Sequence, residues 1–374
     1  MNGVRLNPQL LSVPLYIAGK SAEQVSEELG LVEVLKLCSN ESPLGPSPMA
    51  IAALYEALSE THCYPGIAEL VLRRRLVAHH DRGLTERHII VGNGATDVLR
   101  MVAQAFIFDG GEAIVGQPTF PLYALLTTMY GGRPIQVSAR PDYHLDLSAM
   151  VDAVTPETRI VWLCSPNNPT GLILSQTEAD QLMEQLPDHV VAVFDEAYCD
   201  FVTDPDYADT LQYVRQGRNV IVVRSFSKSS GLANLRAGYG IATPEVIEYL
   251  LHTVLPFNTG TLPLTAAAAS LDDVAFRHRM RDLVENERAY LQTRLSALGL
   301  TCLPSQANFL LVVDPPLGAP FLVEALLQEG IIVRPMAGFG LPNAMRVTVG
   351  QREHNERFLI ALQAALADVL VGQV

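Results

Sequence analysis

A lysine lies among potential phosphate ligands directly after a run of β-branched residues. Ser225, Ser227 and Lys228 follow residues 220–223 (VIVV), and Arg236 lies just beyond them. Hydroxyl groups and a guanidinium can hold a phosphate group. A lysine that forms an imine with an aldehyde cofactor needs this setting, because the cofactor's phosphate must be held while the amine reacts. The pattern therefore predicts a covalent cofactor site at Lys228.

A carboxylate follows another apolar run. Residues 190–194 (VVAVF) would lie inside a sheet, and Asp195 comes next. A carboxylate at that depth needs a cationic partner, which a protonated pyridine nitrogen supplies while its ring serves as an electron sink. Tyr198 reaches the phenolic oxygen of such a ring if the chain turns helical. A metal ion is the competing partner for Asp195 and Glu196, but no nearby histidine or third carboxylate completes a site, so we predict no metal.

The segment GNGATD (92–97) follows a third strand-like run and opens a helix. The backbone N–H groups of Gly94, Ala95 and Thr96 can therefore face a phosphate at a helix N-terminus. When this motif is taken alone, a plain strand-to-helix turn with Asp97 near the helix start is the favoured explanation. Asp97 stands where a dinucleotide fingerprint has its third glycine, which excludes that fingerprint in its simple form.

Two other segments supply a ring and an amide. Phe120 lies just past a strand end, where it either stacks on a flat heterocycle or packs in the core. Asn168 lies in CSPNNPTG (164–171), whose prolines and glycine predict a rigid loop. Its amide either donates to a ring oxygen or only tolerates unusual backbone angles.

Two arginines lie in C-terminal strand-like runs. Arg346 has largely apolar neighbours in MRVTVG (345–350), which predicts that it is buried. A buried guanidinium is stabilised by a planar anion. A substrate carboxylate or phosphate would serve. Arg334, in IVRP (332–335), is a second candidate contact, for which a structural ion pair is the alternative.

The elements that must position these residues alternate along the chain. Short β-rich runs at 88–91, 113–115, 160–163, 190–194 and 220–223 are separated by helix-compatible stretches, which predicts an α/β fold with a mostly parallel sheet covered by helices. Since ligands bind beyond the carboxyl ends of such strands, the motifs should converge. We expect an N-terminal arm (1–39), a large cofactor-binding domain (40–255) and a smaller α/β domain (256–374). The last would begin with a long helical region from about 264 to 298.

Composition narrows the class of partner. The net charge of −14 disfavours nucleic acid and anionic membranes, leaving anion binding to a local pocket. The five cysteines have no CxxC spacing or Cys/His cluster, which fits a reduced cytoplasm. No secretory signal or apolar run of membrane-spanning length is found.

Six segments together resemble the pyridoxal-phosphate aminotransferases of fold type I, most closely the histidinol-phosphate branch. They are SNESPLGPSP (39–48), GNGATD (92–97), CSPNNPTG (164–171), FDEAY (194–198), SFSKSSGLANLRAGYG (225–240) and MRVTVG (345–350). The resemblance implies Lys228 as the Schiff-base residue and Asp195 on the pyridine nitrogen. It places Tyr198 and Asn168 on the ring oxygen and Phe120 on the ring face.

The resemblance also implies a homodimer with shared active sites. Tyr64 resembles a tyrosine that reaches the partner subunit's cofactor phosphate, and Tyr16 one that touches the partner's substrate. Ser42 and the pair Ser229-Ser230 depart from the family pattern and leave substrate choice open.

Transamination is the function that follows from these residues and this resemblance. L-histidinol phosphate is the preferred amino donor, held by Arg346 with Arg334 and Tyr16, and 2-oxoglutarate is the acceptor in a ping-pong cycle. An aromatic amino acid donor is the close alternative, and a phospho-amino-acid decarboxylase of the same fold is a further one. A cofactor-binding sensor is disfavoured by the complete set of Lys228, Asp195 and Tyr198.

Overall fold

The structure is a computed structural model that describes Leu11, Val13, residues 20–81 and residues 83–371. Its largest sheet consists of strands that bury both faces, which is why they read as runs of valine and isoleucine. These strands are β2 (Ile89–Gly92), β3 (Glu112–Gln117), β4 (Arg133–Ser138), β5 (Thr158–Cys164), β6 (Val191–Asp195), β7 (Val220–Ser225) and β8 (Gly238–Ile241). They follow β1 (Leu35–Lys36), which belongs to another sheet.

The seven-stranded sheet has the order β2-β8-β7-β6-β5-β3-β4. All of its neighbouring pairs are parallel except those of β8, which runs antiparallel to β2 and β7. The carboxyl ends of β5, β6 and β7 therefore meet at one edge, where Cys164, Asp195 and Val223 lie side by side in register. The predicted α/β fold class is confirmed.

Helices cover both faces of this sheet and connect its strands. Other helices pack on the C-terminal part of the chain. In chain order, the helices of the described residues are α1 (Ala22–Leu29), α2 (Pro48–Ala57), α3 (Ala68–His80), α4 (Ala95–Phe106), α5 (Leu122–Met129), α6 (Leu147–Asp152), α7 (Gln176–Gln185), α8 (Leu211–Arg215), α9 (Pro244–Leu251), α10 (Thr261–Asp272), α11 (Val274–Ala297), α12 (Ala319–Gln328) and α13 (Arg352–Val371). Several begin at a side-chain cap. Ser175, for example, forms a capping box with Glu178 at the start of α7.

A smaller antiparallel sheet is built from the C-terminal part of the chain. Its strands are β9 (Thr301–Cys302), β10 (Phe309–Val313), β12 (Arg334–Pro335) and β13 (Ala344–Thr348), in the order β12-β13-β10-β9. Strand β1 pairs with β11 (Ile331–Ile332) beside this sheet. The segment that follows β1 therefore leads from the small sheet to the carboxyl edge of the large one.

The five predicted strands of the large sheet are present, with ends shifted by at most two residues. Two strands were missed. Strand β4 is a half-exposed edge strand that contains Pro134. Strand β8 carries glycines, because a Cβ on Gly238 would lie 2.2 Å from the backbone nitrogen of Ala95.

The long helix expected from about 264 to 298 is two helices. Asp273 interrupts it and caps α11, where its carboxylate accepts a hydrogen bond from the backbone N–H of Phe276. The same carboxylate accepts from the Ser47 hydroxyl at 2.7 Å. Asp273 therefore binds both the start of α11 and Ser47, and α10 ends just before it.

Candidate active site

A cavity of about 370 Å³ opens at the carboxyl edge of the large sheet and faces the small sheet. It lies where the predicted motifs converge. Its lining includes all of the predicted site residues that the structure describes except Gly94 and Tyr64, namely Ala95, Thr96, Phe120, Asn168, Asp195, Tyr198, Ser225, Ser227, Lys228, Arg236, Arg334 and Arg346. The volume is within the range of small-molecule sites.

Lys228 lies three residues beyond β7, partly buried in this cavity. Its Nζ donates to the carbonyl oxygen of Ser39 at 3.0 Å and lies 5.7 Å from the centre of the Tyr198 ring. Burial lowers the pKa of Lys228 to about 7, and the positive charges of Arg346 and Arg236 act in the same direction. A substantial fraction of this amine is therefore neutral, and so nucleophilic, near pH 7.

Asp195 ends β6 and is 5% exposed. One carboxylate oxygen accepts from the hydroxyl of Tyr123 at 2.8 Å, and the other from the backbone N–H of Ala197 at 3.1 Å. Burial raises the pKa of Asp195 to about 6, although the Tyr123 hydrogen bond opposes the rise. Because both donors are neutral, the carboxylate lies where a cationic partner would be favoured.

Tyr198 lies in a turn that follows β6. The prediction required it to lie in a helix, from which its hydroxyl would extend to the ring oxygen. A short 3₁₀ helix, Cys199–Phe201, begins only after it. Its hydroxyl accepts a hydrogen bond from the side-chain amide of Asn40 at 3.0 Å, and its ring meets Phe309 edge-on. Burial raises the pKa of Tyr198 to about 12, so its phenol stays protonated at neutral pH.

One end of the cavity is a polar cup formed by Arg236, Ser225, Ser227 and the start of α4 around Thr96. It is called the phosphate cup after the ligand that the sequence predicts for these residues. The guanidinium of Arg236 donates to Ser227 at 3.4 Å and to Thr96 at 3.3 Å. Gly94 adopts φ +85°, and a Cβ on it would lie 2.3 Å from Nη2 of Arg236. Glycine is therefore required for the guanidinium to reach the helix N-terminus.

The other end is lined by cationic side chains of the small sheet. Arg346 lies on β13, directly opposite Arg334 on β12. Arg346 is 5% exposed and donates to the side-chain oxygen of Asn168 and, at 2.9 Å, to the carbonyl oxygen of Cys38. With its oxygen engaged, the Asn168 amide nitrogen is the atom available to donate into the cavity. Lys36 also lines this end and pairs with Glu41 at 2.8 Å.

Glu196 has a structural partner. It is 1% exposed and forms an ion pair with Arg224 at 2.7 Å, and it also accepts from the hydroxyl of Thr210 at 2.5 Å. Within residues 20–81 and 83–371, no group of three or more His, Cys, Asp or Glu side chains is arranged to hold a metal ion. In the same part of the chain, no helix is both long and apolar enough to cross a membrane.

Of the predicted residues that the structure describes, Tyr64 is not brought to the cavity. Tyr64 is 75% exposed and stacks on Phe257, with ring centroids 4.1 Å apart. Tyr16 lies outside the described residues. Sequence reasoning also missed Tyr123, although it is three residues from Phe120, and Asn40, which lies inside a segment quoted for its likeness to a family. The residues next to Tyr123 do not indicate that it contacts Asp195, and those next to Asn40 do not indicate that it contacts Tyr198.

Residues 32–362 match the family model for aminotransferase class I and II. The chain therefore belongs to the class I and II aminotransferases. It is 44% identical over 359 residues to a histidinol-phosphate aminotransferase of Moorella thermoacetica, covering 96% of this chain and 92% of that protein. It is also 39% identical over 370 residues to a histidinol-phosphate aminotransferase of Bacillus subtilis, covering 98% of this chain and all of that protein.

Solved structures show the same fold. Histidinol-phosphate aminotransferase from Sinorhizobium meliloti, in complex with pyridoxal 5′-phosphate, has a TM-score of 0.87 at 25% identity, and the match covers 98% of both chains. Aspartate aminotransferase from Thermus thermophilus has a TM-score of 0.84 at 22% identity, covering 97% of this chain and 100% of that one. The second likeness bears on the fold alone.

Proposed function

We propose that this protein is a pyridoxal-phosphate-dependent histidinol-phosphate aminotransferase. It transfers the amino group of L-histidinol phosphate to 2-oxoglutarate, which gives imidazole acetol phosphate and L-glutamate. The observation that carries the proposal is a cavity with an arginine at each end and an amine between them, that of Lys228, whose pKa is lowered by burial and by both arginines. Support also comes from relatives of that name that align along nearly the whole chain.

The cavity residues fit pyridoxal 5′-phosphate. The phosphate cup contains a guanidinium, hydroxyls and a helix N-terminus, and the bare Cα of Gly94 keeps it open. The buried carboxylate of Asp195 has two neutral donors and suits the protonated ring nitrogen. Tyr198 and Asn168 are the donors for the ring oxygen, and Phe120 is the ring for its face. When bound, the cofactor supplies an electron sink that stabilises negative charge at the substrate's α-carbon.

Lys228 is the residue that reacts. Because burial and two arginines lower its pKa to about 7, its Nζ is neutral often enough to act as a nucleophile and then as a base. With the cofactor bound, Nζ would take the proton from the α-carbon of the amino donor and deliver it to the C4′ carbon of the cofactor. Asp195 keeps its negative charge near the ring nitrogen throughout, because its pKa of about 6 lies below neutral pH.

The small-sheet end of the cavity suits a phosphate better than a carboxylate. Three cationic side chains line it, those of Lys36, Arg334 and Arg346, and Glu41 pairs with the first. A phosphate monoester carries a charge of roughly −1.5 to −2 at pH 7, whereas a carboxylate carries one negative charge. A cationic lining attracts the more highly charged anion more strongly, so it favours L-histidinol phosphate over an aromatic amino acid.

Absorbance spectroscopy of the holoenzyme tests the substrate. L-Histidinol phosphate and L-phenylalanine are added to separate samples, and the visible band of the bound cofactor is followed. Loss of the band with L-histidinol phosphate alone supports the proposal, and equal or faster loss with L-phenylalanine moves the assignment to an aromatic aminotransferase. Lys228→Ala should abolish turnover, and a fully active variant would refute the role of Lys228.

The chain is also proposed to act as a cytoplasmic homodimer that consists of an arm (1–39), a large domain (40–255) and a small domain (256–374). The exposed stacked pair of Tyr64 and Phe257 supports an interface here, with exposed Tyr55 and Ile67 nearby in the sequence. In the dimer, Tyr64 would reach the partner subunit's cofactor phosphate, and Tyr16 the partner's substrate. Sedimentation that gives a monomer at micromolar concentration would contradict this arrangement.

A further inference from the structure

Asn40 lies between the small sheet and the phenol of Tyr198. It is 1% exposed and adopts φ +54°, a left-handed conformation that asparagine tolerates better than most residues. Its carbonyl oxygen accepts from the side chain of Asn308 at 3.1 Å. The backbone of Asn40 is thus held to the small sheet, while its side chain points to Tyr198.

The direction of each hydrogen bond follows from Thr348. The hydroxyl of Thr348 accepts from the backbone N–H of Asn40 at 3.0 Å and donates to the side-chain oxygen of Asn40 at 3.2 Å. That oxygen is therefore the acceptor end of the amide, and the nitrogen end donates to the hydroxyl of Tyr198 at 3.0 Å. The phenol oxygen receives a hydrogen bond, so its own hydrogen must point elsewhere. Among residues 20–81 and 83–371, no hydrogen bond takes up this hydrogen.

We infer that Asn40 is a positioning residue that turns the Tyr198 hydroxyl hydrogen toward the cofactor's ring oxygen. The inference rests on the proposed cofactor site. By donating to the phenol oxygen, the Asn40 amide also makes Tyr198 a stronger donor. Thr348 is two residues from Arg346 on the same face of β13, so the strand that holds the substrate anion also holds the amide that orients Tyr198.

The role of Asn40 can be measured without an amino donor, by following the visible absorbance of the bound cofactor as a function of pH. The midpoint of this titration is the pH at which half of the bound cofactor is deprotonated. Donors to the ring oxygen favour the deprotonated cofactor, in which that oxygen carries negative charge. Asn40→Gly keeps the left-handed backbone and removes the amide. We expect it to raise the midpoint of the visible titration by about half to one pH unit, the size of one neutral hydrogen bond. The charged or titratable groups that act on Tyr198 are Lys228, Arg346, Asp195 and Cys164, and none is changed in this variant.

A double-mutant cycle separates orientation from general damage. Tyr198→Phe should raise the midpoint by itself, and adding Asn40→Gly to it should produce no further rise. A wild-type midpoint in Asn40→Gly, or an equal rise in the Tyr198→Phe background, would overturn the inference. If Asn40→Gly does not fold, Thr348→Val replaces it, with Thr348→Ser as the matched control that keeps the hydroxyl. Thr348→Val is then expected to raise the midpoint and Thr348→Ser to leave it unchanged, and the opposite result overturns the inference.

Failure of this inference and failure of the proposed function are distinguishable. The titration contains no amino donor, so its result does not depend on which donor the enzyme uses. The reaction of the unchanged holoenzyme with L-histidinol phosphate is measured separately and does not depend on Asn40 variants.

Discussion

Replacing Tyr123 with phenylalanine should remove one hydrogen bond from Asp195 and leave the ring packing intact. Tyr123 is fully buried, its ring stacks on Trp162 with centroids 5.4 Å apart, and its hydroxyl donates to Asp195 at 2.8 Å. A hydrogen bond to a charged group contributes about 1.5–3 kcal/mol, and one pKa unit corresponds to about 1.4 kcal/mol. From its value of about 6, the pKa of Asp195 should therefore rise by about one to two units.

The rise places the pKa of Asp195 near or above neutral pH. At pH 7 the wild-type carboxylate is mostly ionised, whereas in Tyr123→Phe half or less of it is. Since the proposed pairing with a protonated ring nitrogen needs the ionised form, cofactor affinity at pH 7 should fall by about two- to tenfold. The loss should shrink above about pH 8.5, where both proteins are largely ionised.

The assay is a titration of the apoprotein with pyridoxal 5′-phosphate, followed by absorbance from about pH 5.5 to about pH 9.5. Tyr213→Phe is the matched control, because it removes a buried tyrosine hydroxyl that donates to Asp180 at 2.7 Å, away from the cavity lining. In a plot of cofactor affinity against pH, the acid limb should shift to higher pH in Tyr123→Phe and should not shift in Tyr213→Phe. Superimposable profiles for Tyr123→Phe and wild type would refute the reasoning.

Three further predictions concern the amine, the phosphate cup and the buried ion pair. The folded-state pKa of Lys228, about 7, is below its ordinary value of 10.5, so the wild-type apoprotein loses stability as the pH falls from 10.5 to 7. Apo Lys228→Met should lack this loss, so its free energy of unfolding in urea should gain on that of the wild type by up to about 1.4 kcal/mol for each unit by which the pH falls. Parallel plots of unfolding free energy against pH for the two proteins would contradict this. Gly94→Ala should weaken cofactor binding at least about tenfold in an absorbance titration, because the new Cβ meets the cup's guanidinium, whereas Gly299→Ala, also at positive φ but in open space, should bind normally. Glu196→Gln should lower the free energy of unfolding by about 3–5 kcal/mol in denaturant titrations, because the charge of Arg224 is left uncompensated; an unchanged midpoint would argue that the pair is dispensable.

The sequence predicted the parts of the site that lie within a few residues of a strand end. Lys228 follows β7 and Asp195 ends β6, so the local pattern of an apolar run and then a polar residue was enough to find both. The parallel sheet then brought these ends together, as the alternation of strands and helices predicted. The part of the cavity around Lys228 and Asp195 could therefore be predicted from short segments.

The remaining contacts join positions that are far apart in the chain. Tyr123 donates to Asp195 across 72 residues, and Asn40 donates to Tyr198 across 158 residues. No period or spacing links such pairs, because their geometry depends on how the sheets pack. For the same reason, the exposed position of Tyr64 could not be predicted from its neighbours.

The path of the chain through the cavity has a consequence for synthesis on the ribosome. Among the residues that line the cavity, Lys36 and Cys38 are synthesised first and Arg346 last. Strand β1 cannot pair with β11 until residues 331 and 332 have been synthesised. Such distant pairing is slow, since long loops must close before the contacts form. The residues of the phosphate cup are therefore synthesised before Arg334 and Arg346, which are proposed to hold the substrate anion. Since the proposed turnover requires Arg346, it must wait until β13 has left the ribosome.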